Sequence, residues 1–90
     1  MIKYKYKVFT KNNCGGCTML KPHLVTALED KDVQIKYYNI DEDESALDKA
    51  RLYGVMSLPT IVKIPWDDSD EDIDMIVGFR HSSQLKKWIE

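Results

Sequence analysis

The 90-residue chain has no run of apolar residues approaching the roughly 18–20 that a membrane-spanning helix requires. Nor does either sign of charge dominate: 13 Lys and Arg stand against 15 Asp and Glu, a net charge of −2. Without a dense Lys/Arg cluster there is no electrostatic footprint for phosphates, so neither nucleic acid nor membrane is an expected partner. The stretch Met1–Phe9 alternates Lys and Tyr and lacks the apolar core of a secretion signal, which sets a cytoplasmic location as the expectation; a monomer is the separate expectation for its assembly. Repeats, low-complexity tracts and linkers are absent too, and the length suits one domain over residues 1–90. At 43% hydrophobic and 31% charged, the composition is that of a globular protein and excludes disorder.

Cysteine is scarce, and its scarcity is informative. Small secreted scaffolds scatter several disulfides along the chain; here there are only Cys14 and Cys17. A bridge across so short a loop constrains the unfolded chain little, so a structural staple explains the pair poorly. Zinc usually takes four ligands. The histidines, His23 and His81, are far apart and lack ligand spacing, so no metal and no cofactor is expected. Two inert cysteines remain the plain alternative to redox chemistry. The acidic stretch Asp67, Asp68, Asp70, Glu71, Asp72 and Asp74 lacks the glycine and terminal glutamate of an EF-hand loop. It reads as a solvated hairpin turn at the sheet end opposite the cysteines.

What is present has an order. Lys5–Thr10 predicts a strand, with Tyr6 and Val8 alternating against Lys5 and Lys7. From Cys17 onward Leu20, Leu24, Ala27 and Leu28 recur at helical spacing, with an end near Asp30–Asp32. Val33–Ile40 predicts a second strand, with Val33, Ile35 and Tyr37 on one face. Asp41 followed by Glu44 suggests a helix start, and Ala46, Leu47, Ala50 and Tyr53 form its apolar side before Gly54 ends it. Thr60–Ile64 and Ile73–Val77 predict a hairpin, and Ser82 or Ser83 is placed to cap a last helix carrying Leu85, Trp88 and Ile89. The order β-α-β-α-β-β-α predicts an α/β fold: a mixed four-stranded sheet with helices on both faces.

Cys14-Gly15-Gly16-Cys17 lies where the first strand hands over to a helix. The unpaired N–H groups and partial positive charge of a helix start stabilise a thiolate. A cysteine so placed can have its pKa lowered from about 8.5 into a range of about 3.5–7.5. Cys14 is therefore expected to be the exposed nucleophile, and Cys17, deeper in the helix, the resolving thiol. Gly15 and Gly16 are expected to leave the surface beside Cys14 unobstructed. His23 reads as a solvated surface residue, and His81 as a cap or surface residue.

The pattern resembles the thioredoxin superfamily, in a small form of glutaredoxin size with a CGGC motif. The resemblance rests on Pro22, five residues after Cys17, on Asn39-Ile40-Asp41, on Tyr53-Gly54-Val55-Met56-Ser57-Leu58-Pro59-Thr60, and on Val77-Gly78 followed by Gln84-Leu85-Lys86. It implies the thioredoxin fold and a thiol–disulfide oxidoreductase that reduces protein disulfides by dithiol exchange through Cys14 and Cys17. It further implies a cis peptide at Pro59 and a substrate groove framed by Leu58, Pro59 and Gly78. The implied partners are a disulfide-bearing protein substrate, such as ribonucleotide reductase, and a reductase, either thioredoxin reductase or glutathione. A glutathione-dependent glutaredoxin is the alternative, although Ser57-Leu58-Pro59 and Val77-Gly78-Phe79-Arg80-His81 lack the glutathione signature. A redox-inert binding module using the same groove is the alternative from another class.

The chain departs from the family where Asn13 replaces a tryptophan and Gly15-Gly16 replaces Gly-Pro. It also carries Val8 where the resemblance implies a buried aspartate that helps deprotonate the second cysteine. An apolar site without a compensating charge raises a thiol's pKa, so resolution by Cys17 is expected to limit turnover near neutral pH. Val8→Asp should therefore speed that step near neutrality while costing stability for the buried carboxylate. Stopped-flow rates of attack and resolution, taken across pH on both proteins, check this; a resolution rate that is fast and flat with pH in the wild type contradicts it.

Overall fold

A computed structural model describes residues 4–31, 33–67 and 73–89. The elements are β1 (Tyr4–Thr10), α1 (Gly15–Leu28), β2 (Gln34–Asn39), α2 (Glu44–Leu52), β3 (Thr60–Pro65), β4 (Asp74–Val77) and α3 (Ser82–Ile89). The sheet runs in the order β2-β1-β3-β4, with β1 parallel to β2 and the other pairs antiparallel. This is the expected mixed four-stranded sheet of the thioredoxin-like order.

Two apolar layers hold it together. On one face, Tyr6, Val8 and Ile61 meet Leu20, Leu24, Ala27 and Leu28 of α1 and Leu85 of α3. On the other, Phe9, Tyr38, Val62 and Ile64 meet Ala46 and Ala50 of α2. Each layer follows from strand alternation, because successive residues point to opposite faces. β3 is central and buried on both faces, yet it carries Lys63. Its ammonium reaches out over the Tyr4 and Trp88 rings, 4.5 and 5.7 Å from their centroids. The expected strand Val33–Ile40 divides its residues differently: Val33, just before β2, and Ile35 pack in the first layer, but Tyr37 is exposed and Tyr38 is the buried tyrosine.

The register puts Phe9 opposite Thr60 and Tyr4 opposite Pro65, so β3 runs away from the cysteine end. Asp67 and Asp74 therefore lie toward the far end, where Asp74 accepts a 2.7 Å hydrogen bond from the Trp88 indole. Asp68, Asp70, Glu71 and Asp72 lie outside the described residues.

The helix caps differ from the sequence reading. Asp43, not Asp41, caps α2: its carboxylate accepts from the Ser45 N–H at 2.9 Å and from the Ser45 hydroxyl at 2.8 Å. The Asp41 carboxylate is taken instead by the Asn12 N–H. The Ser45 hydroxyl, then its N–H, hold the Asp43 carboxyl below its ordinary value. The cap's contribution is thus present above the unfolded carboxyl pKa and is lost as pH falls through the lowered folded value. At the other end, Gly54 has φ +71°, and the Gly54 and Val55 N–H groups reach back to the Arg51 and Ala50 carbonyls, a Schellman motif.

α3 is capped by neither Ser82 nor Ser83 but by His81, in line with the cap reading of that residue. Its Nδ1 accepts from the Ser83 N–H at 3.2 Å, while the Gln84 side chain accepts from the His81 N–H at 3.2 Å. This is the reciprocal arrangement of a capping box, with imidazole in place of a hydroxyl. His23 on α1 is not a solvated residue either: its Nδ1 accepts from the Ser82 N–H at 3.2 Å, and its ring meets Phe79 edge-on. Two imidazoles, 4.5 Å apart between centroids, thereby satisfy the first turn of α3 and dock it on α1. His81→Ala should cost about 1 kcal/mol, with a fall of roughly 4–8 °C in Tm, whereas His81→Ser should hold the wild-type Tm. Thermal unfolding of the two variants checks this, and an equal loss in both would show that the imidazole is not acting as a cap.

Candidate active site

β1 ends at Thr10, and the chain reaches α1 through Lys11, Asn12 and Asn13. Asn13 takes φ +54°, a left-handed conformation that asparagine tolerates better than other side chains. The loop is tied to the β2–α2 turn: Asn39 Nδ2 donates to Asn12 Oδ1 at 3.0 Å and to Glu42 Oε2 at 2.8 Å, and the Asn12 N–H donates to Asp41 at 3.0 Å. Asn39 Oδ1 in turn accepts from the Asp41 N–H at 2.9 Å. The Asn39-Ile40-Asp41 segment therefore braces the cysteine loop, a role its motif signalled without revealing.

The helix begins at Gly15, earlier than its apolar periodicity suggested, which makes Cys14 the N-cap. Cys14 Sγ accepts the Cys17 N–H at 3.1 Å, as a serine hydroxyl does at an ordinary N-cap. The two cysteines are joined by a disulfide, with their Cα atoms 5.2 Å apart. Cys14 is half-buried, while Cys17 is 8% exposed.

Across from the pair, the Leu58–Pro59 peptide is cis. The Pro59 carbonyl accepts the Gly78 N–H at 2.7 Å, which ties the start of β3 to the end of β4. Gly78 has φ +88°, a conformation that side chains strain to adopt. Leu58, Pro59 and Gly78 thus come together at the cysteine end of the sheet. Only Gly15 leaves open space as expected: a Cβ on Gly16 would lie 3.2 Å from Pro59 Cδ, so this glycine lets α1 pack against the proline. Beyond Leu58 opens a hollow of about 480 Å³ lined chiefly by Ile40, Leu47, Ala50, Val55 and Met56, with Lys11 and Arg51 at its rim.

Comparison with known proteins decides what this geometry belongs to. The Thioredoxin family model matches residues 7–90. The chain belongs to the thioredoxin family. It is 39% identical over 82 residues to a thioredoxin of Borreliella burgdorferi, covering 91% of this chain and 67% of that protein. A chloroplastic thioredoxin of Arabidopsis thaliana is 34% identical over 77 residues, covering 86% of this chain but only 38% of the relative. Among solved structures, a mutant thioredoxin from Halobacterium salinarum NRC-1 superposes with a TM-score of 0.75 at 30% identity, covering 97% of this chain and 72% of that one. As a thioredoxin-family member with a Cys14–Cys17 disulfide, the chain is a thiol–disulfide oxidoreductase; the glutaredoxin alternative is not favoured.

The thioredoxin site also contains residues that the sequence reading passed over. A cavity of about 240 Å³ beside Cys17 is lined by Val8, Thr10, Lys11, Thr18, Lys21 and Tyr37. Lys21 was legible only through its spacing, four residues after Cys17; Tyr37 reaches the cavity from β2, and no sequence pattern links that strand to the motif. Among the described residues no cluster of metal-ligating side chains is present.

The two glycines of the motif should respond differently to alanine. Gly15→Ala faces open space and should stabilise the protein by about 0.4–1 kcal/mol through the unfolded state. Gly16→Ala presses a methyl toward Pro59, so it should recover less than that or lose stability. Denaturant midpoints of the two variants test the contrast, and equal gains would show that α1 has room to move away from the proline.

Proposed function

We propose that this thioredoxin-family chain reduces disulfides of cytoplasmic proteins, with Cys14 as attacking thiol and Cys17 as resolving thiol. The observation that carries the reading is the Cys17 N–H directed at Cys14 Sγ across the first turn of α1. Once the disulfide is reduced, the same N–H faces the Cys14 thiolate, and a hydrogen bond to the charged form favours it, as does the helix terminus. Cys14 is also the more accessible residue of the two.

The chemistry then runs in two exchanges. The Cys14 thiolate attacks one sulfur of the substrate disulfide, forms a mixed disulfide and expels the other substrate sulfur as a thiolate. The Cys17 thiolate next attacks Cys14 Sγ; the Cys14–substrate bond breaks, and the electron pair leaves with the second substrate thiolate. Two electrons have passed to the substrate, and the protein is left with the Cys14–Cys17 disulfide. Leu58, Pro59 and Gly78 frame the face on which an extended substrate segment docks. The apolar hollow beyond Leu58 supports that reading, since it offers a seat for a large side chain of the docked segment.

Thioredoxins act on disulfide-bearing proteins and are recycled by thioredoxin reductase, the donor proposed here. Ribonucleotide reductase is a candidate substrate, and the working form is a monomer. Cys14→Ser should abolish reduction of insulin disulfides, and Cys17→Ser should accumulate a mixed disulfide that mass spectrometry identifies at Cys14. A mixed disulfide trapped on Cys17 in the Cys14→Ser protein would reverse the roles. Faster recycling by glutathione than by thioredoxin reductase would overturn the proposed donor.

A further inference from the structure

The resolving step needs a thiolate at Cys17, and burial disfavours that charge. Cys17 is 8% exposed, and Val8, at 1%, places no carboxylate beneath it. The cavity beside Cys17 is the place to look for what offsets the cost. Its titratable lining groups besides the cysteine are Lys11 from the loop after β1, Lys21 from α1 and Tyr37 from β2, and none is an acid.

Lys21 stands apart from the other two. It follows Cys17 by four residues within α1, so the two side chains rise from one helix face with Cβ atoms about 5–6 Å apart. Lys21 is exposed, yet its Nζ sits 4.6 Å from the centroid of the Tyr37 ring, a cation–π contact between two residues that both line the cavity. Partial desolvation of the Tyr37 phenol raises its pKa above the ordinary value, so the ring beneath the ammonium stays neutral. Among the described residues Lys11 rests on no aromatic ring, and it is shared with the hollow beyond Leu58.

We infer that Lys21, held over the Tyr37 ring, stabilises the Cys17 thiolate and thereby serves as a positioning residue for the resolving step. The inference rests on the assignment of Cys17 as resolving thiol. Lys21 keeps its proton throughout; the Cys17 proton passes to solvent, and the Cys17 sulfur then displaces the substrate sulfur from Cys14. The lysine thus supplies by charge what a neighbouring base supplies by proton transfer.

The size of the effect follows from two opposing trends. Removing the cation raises the Cys17 pKa and lowers its thiolate fraction near neutrality. A thiolate of higher pKa is, however, intrinsically more nucleophilic, which recovers about half of the loss on a logarithmic scale. For an open, partly screened site, a rise of roughly half to one pH unit is reasonable, which leaves about a two- to threefold slower resolution at neutral pH.

The test uses the full chain, reduced and mixed with dithiobis-nitrobenzoate in a stopped-flow instrument. Attack by Cys14 releases the first nitrothiobenzoate, and resolution by Cys17 releases the second, so one trace reads both steps. In Lys21→Gln the midpoint of the resolution-rate profile should move up in pH by roughly half to one unit, with the first release unchanged. Lys21→Arg should restore the wild-type midpoint. At about 1 M salt, where the Debye length is about 3 Å, the gap between Lys21→Gln and wild type should shrink. Tyr37→Phe keeps the ring and should keep the midpoint. An unmoved midpoint in Lys21→Gln overturns the inference, as does an equal slowing of both releases. A shift in Tyr37→Phe that Lys21→Gln lacks overturns it too, in favour of the phenol. Release of both thiols by the Cys17→Ser protein would instead refute the assignment of roles, an outcome separate from any result at Lys21.

Discussion

The hydrogen bond from the Cys17 N–H to Cys14 Sγ is the contact around which the molecule is arranged. It exists only if a helix starts within one residue of Cys14, and that start is set from both sides. Upstream, β1 must stop at Thr10 and the chain must turn through the left-handed Asn13. Downstream, Leu20, Leu24, Ala27 and Leu28 bury the far part of α1 against Tyr6, Val8 and Ile61. The buried part of the helix therefore holds its exposed end in place, although that first turn, Gly15 and Gly16 included, has weak helix propensity of its own.

The same economy runs through the supports of the site. Asn39 ends β2 and at once fastens the cysteine loop through Asn12. Gly78 ends β4 and ties itself to the Pro59 carbonyl. His23 and His81 satisfy the first turn of α3, which keeps that helix against α1. At Asn39, Gly78 and Ser82 a polar group at an element's end is bonded to a residue distant in the chain, so the ends of the sheet strands and the site are stabilised by the same bonds. That coupling suits a small protein, whose apolar layers on either side of the sheet are thin and whose stability margin is correspondingly modest.

Among the described residues, six lysines rest on aromatic rings. Ammonium groups lie over Tyr4, Tyr37, Tyr38, Tyr53, Trp66 and Trp88, at 4.5 to 5.7 Å from the centroids. The Lys–Tyr alternation at the start of the chain is one source of this pattern: Lys5 and Lys7 share a sheet face with Phe9, and each folds over a ring. Lys7 also donates to the Tyr53 hydroxyl at 3.0 Å, reaching from β1 to the end of α2. Rings that look like core fillers in the sequence thus also fix where the cations stand, and at Lys21 that has a consequence for the thiol next to it.

The sequence by itself determined the order of elements, the redox pair and the family. Those features are carried by local patterns: periodicity of two or near four, a short spacing between cysteines, and glycine and proline at fixed offsets. What it misplaced were the caps. Asp41 and Asp43 are equally good cap residues on paper, and Ser82 and Ser83 look as good as His81, which serves; the choice depends on where neighbouring elements deliver competing partners. The Asn12 N–H takes Asp41, and the His23 imidazole takes the Ser82 N–H. The two glycines of the motif read alike in sequence, yet Pro59 lies against Gly16 alone. Tyr37 joins Lys21 beside Cys17 only because β2 pairs with β1 in a register that sets Tyr37 opposite Val8. Contacts between residues distant in the chain are decided by packing and register, and neither is written in any local pattern.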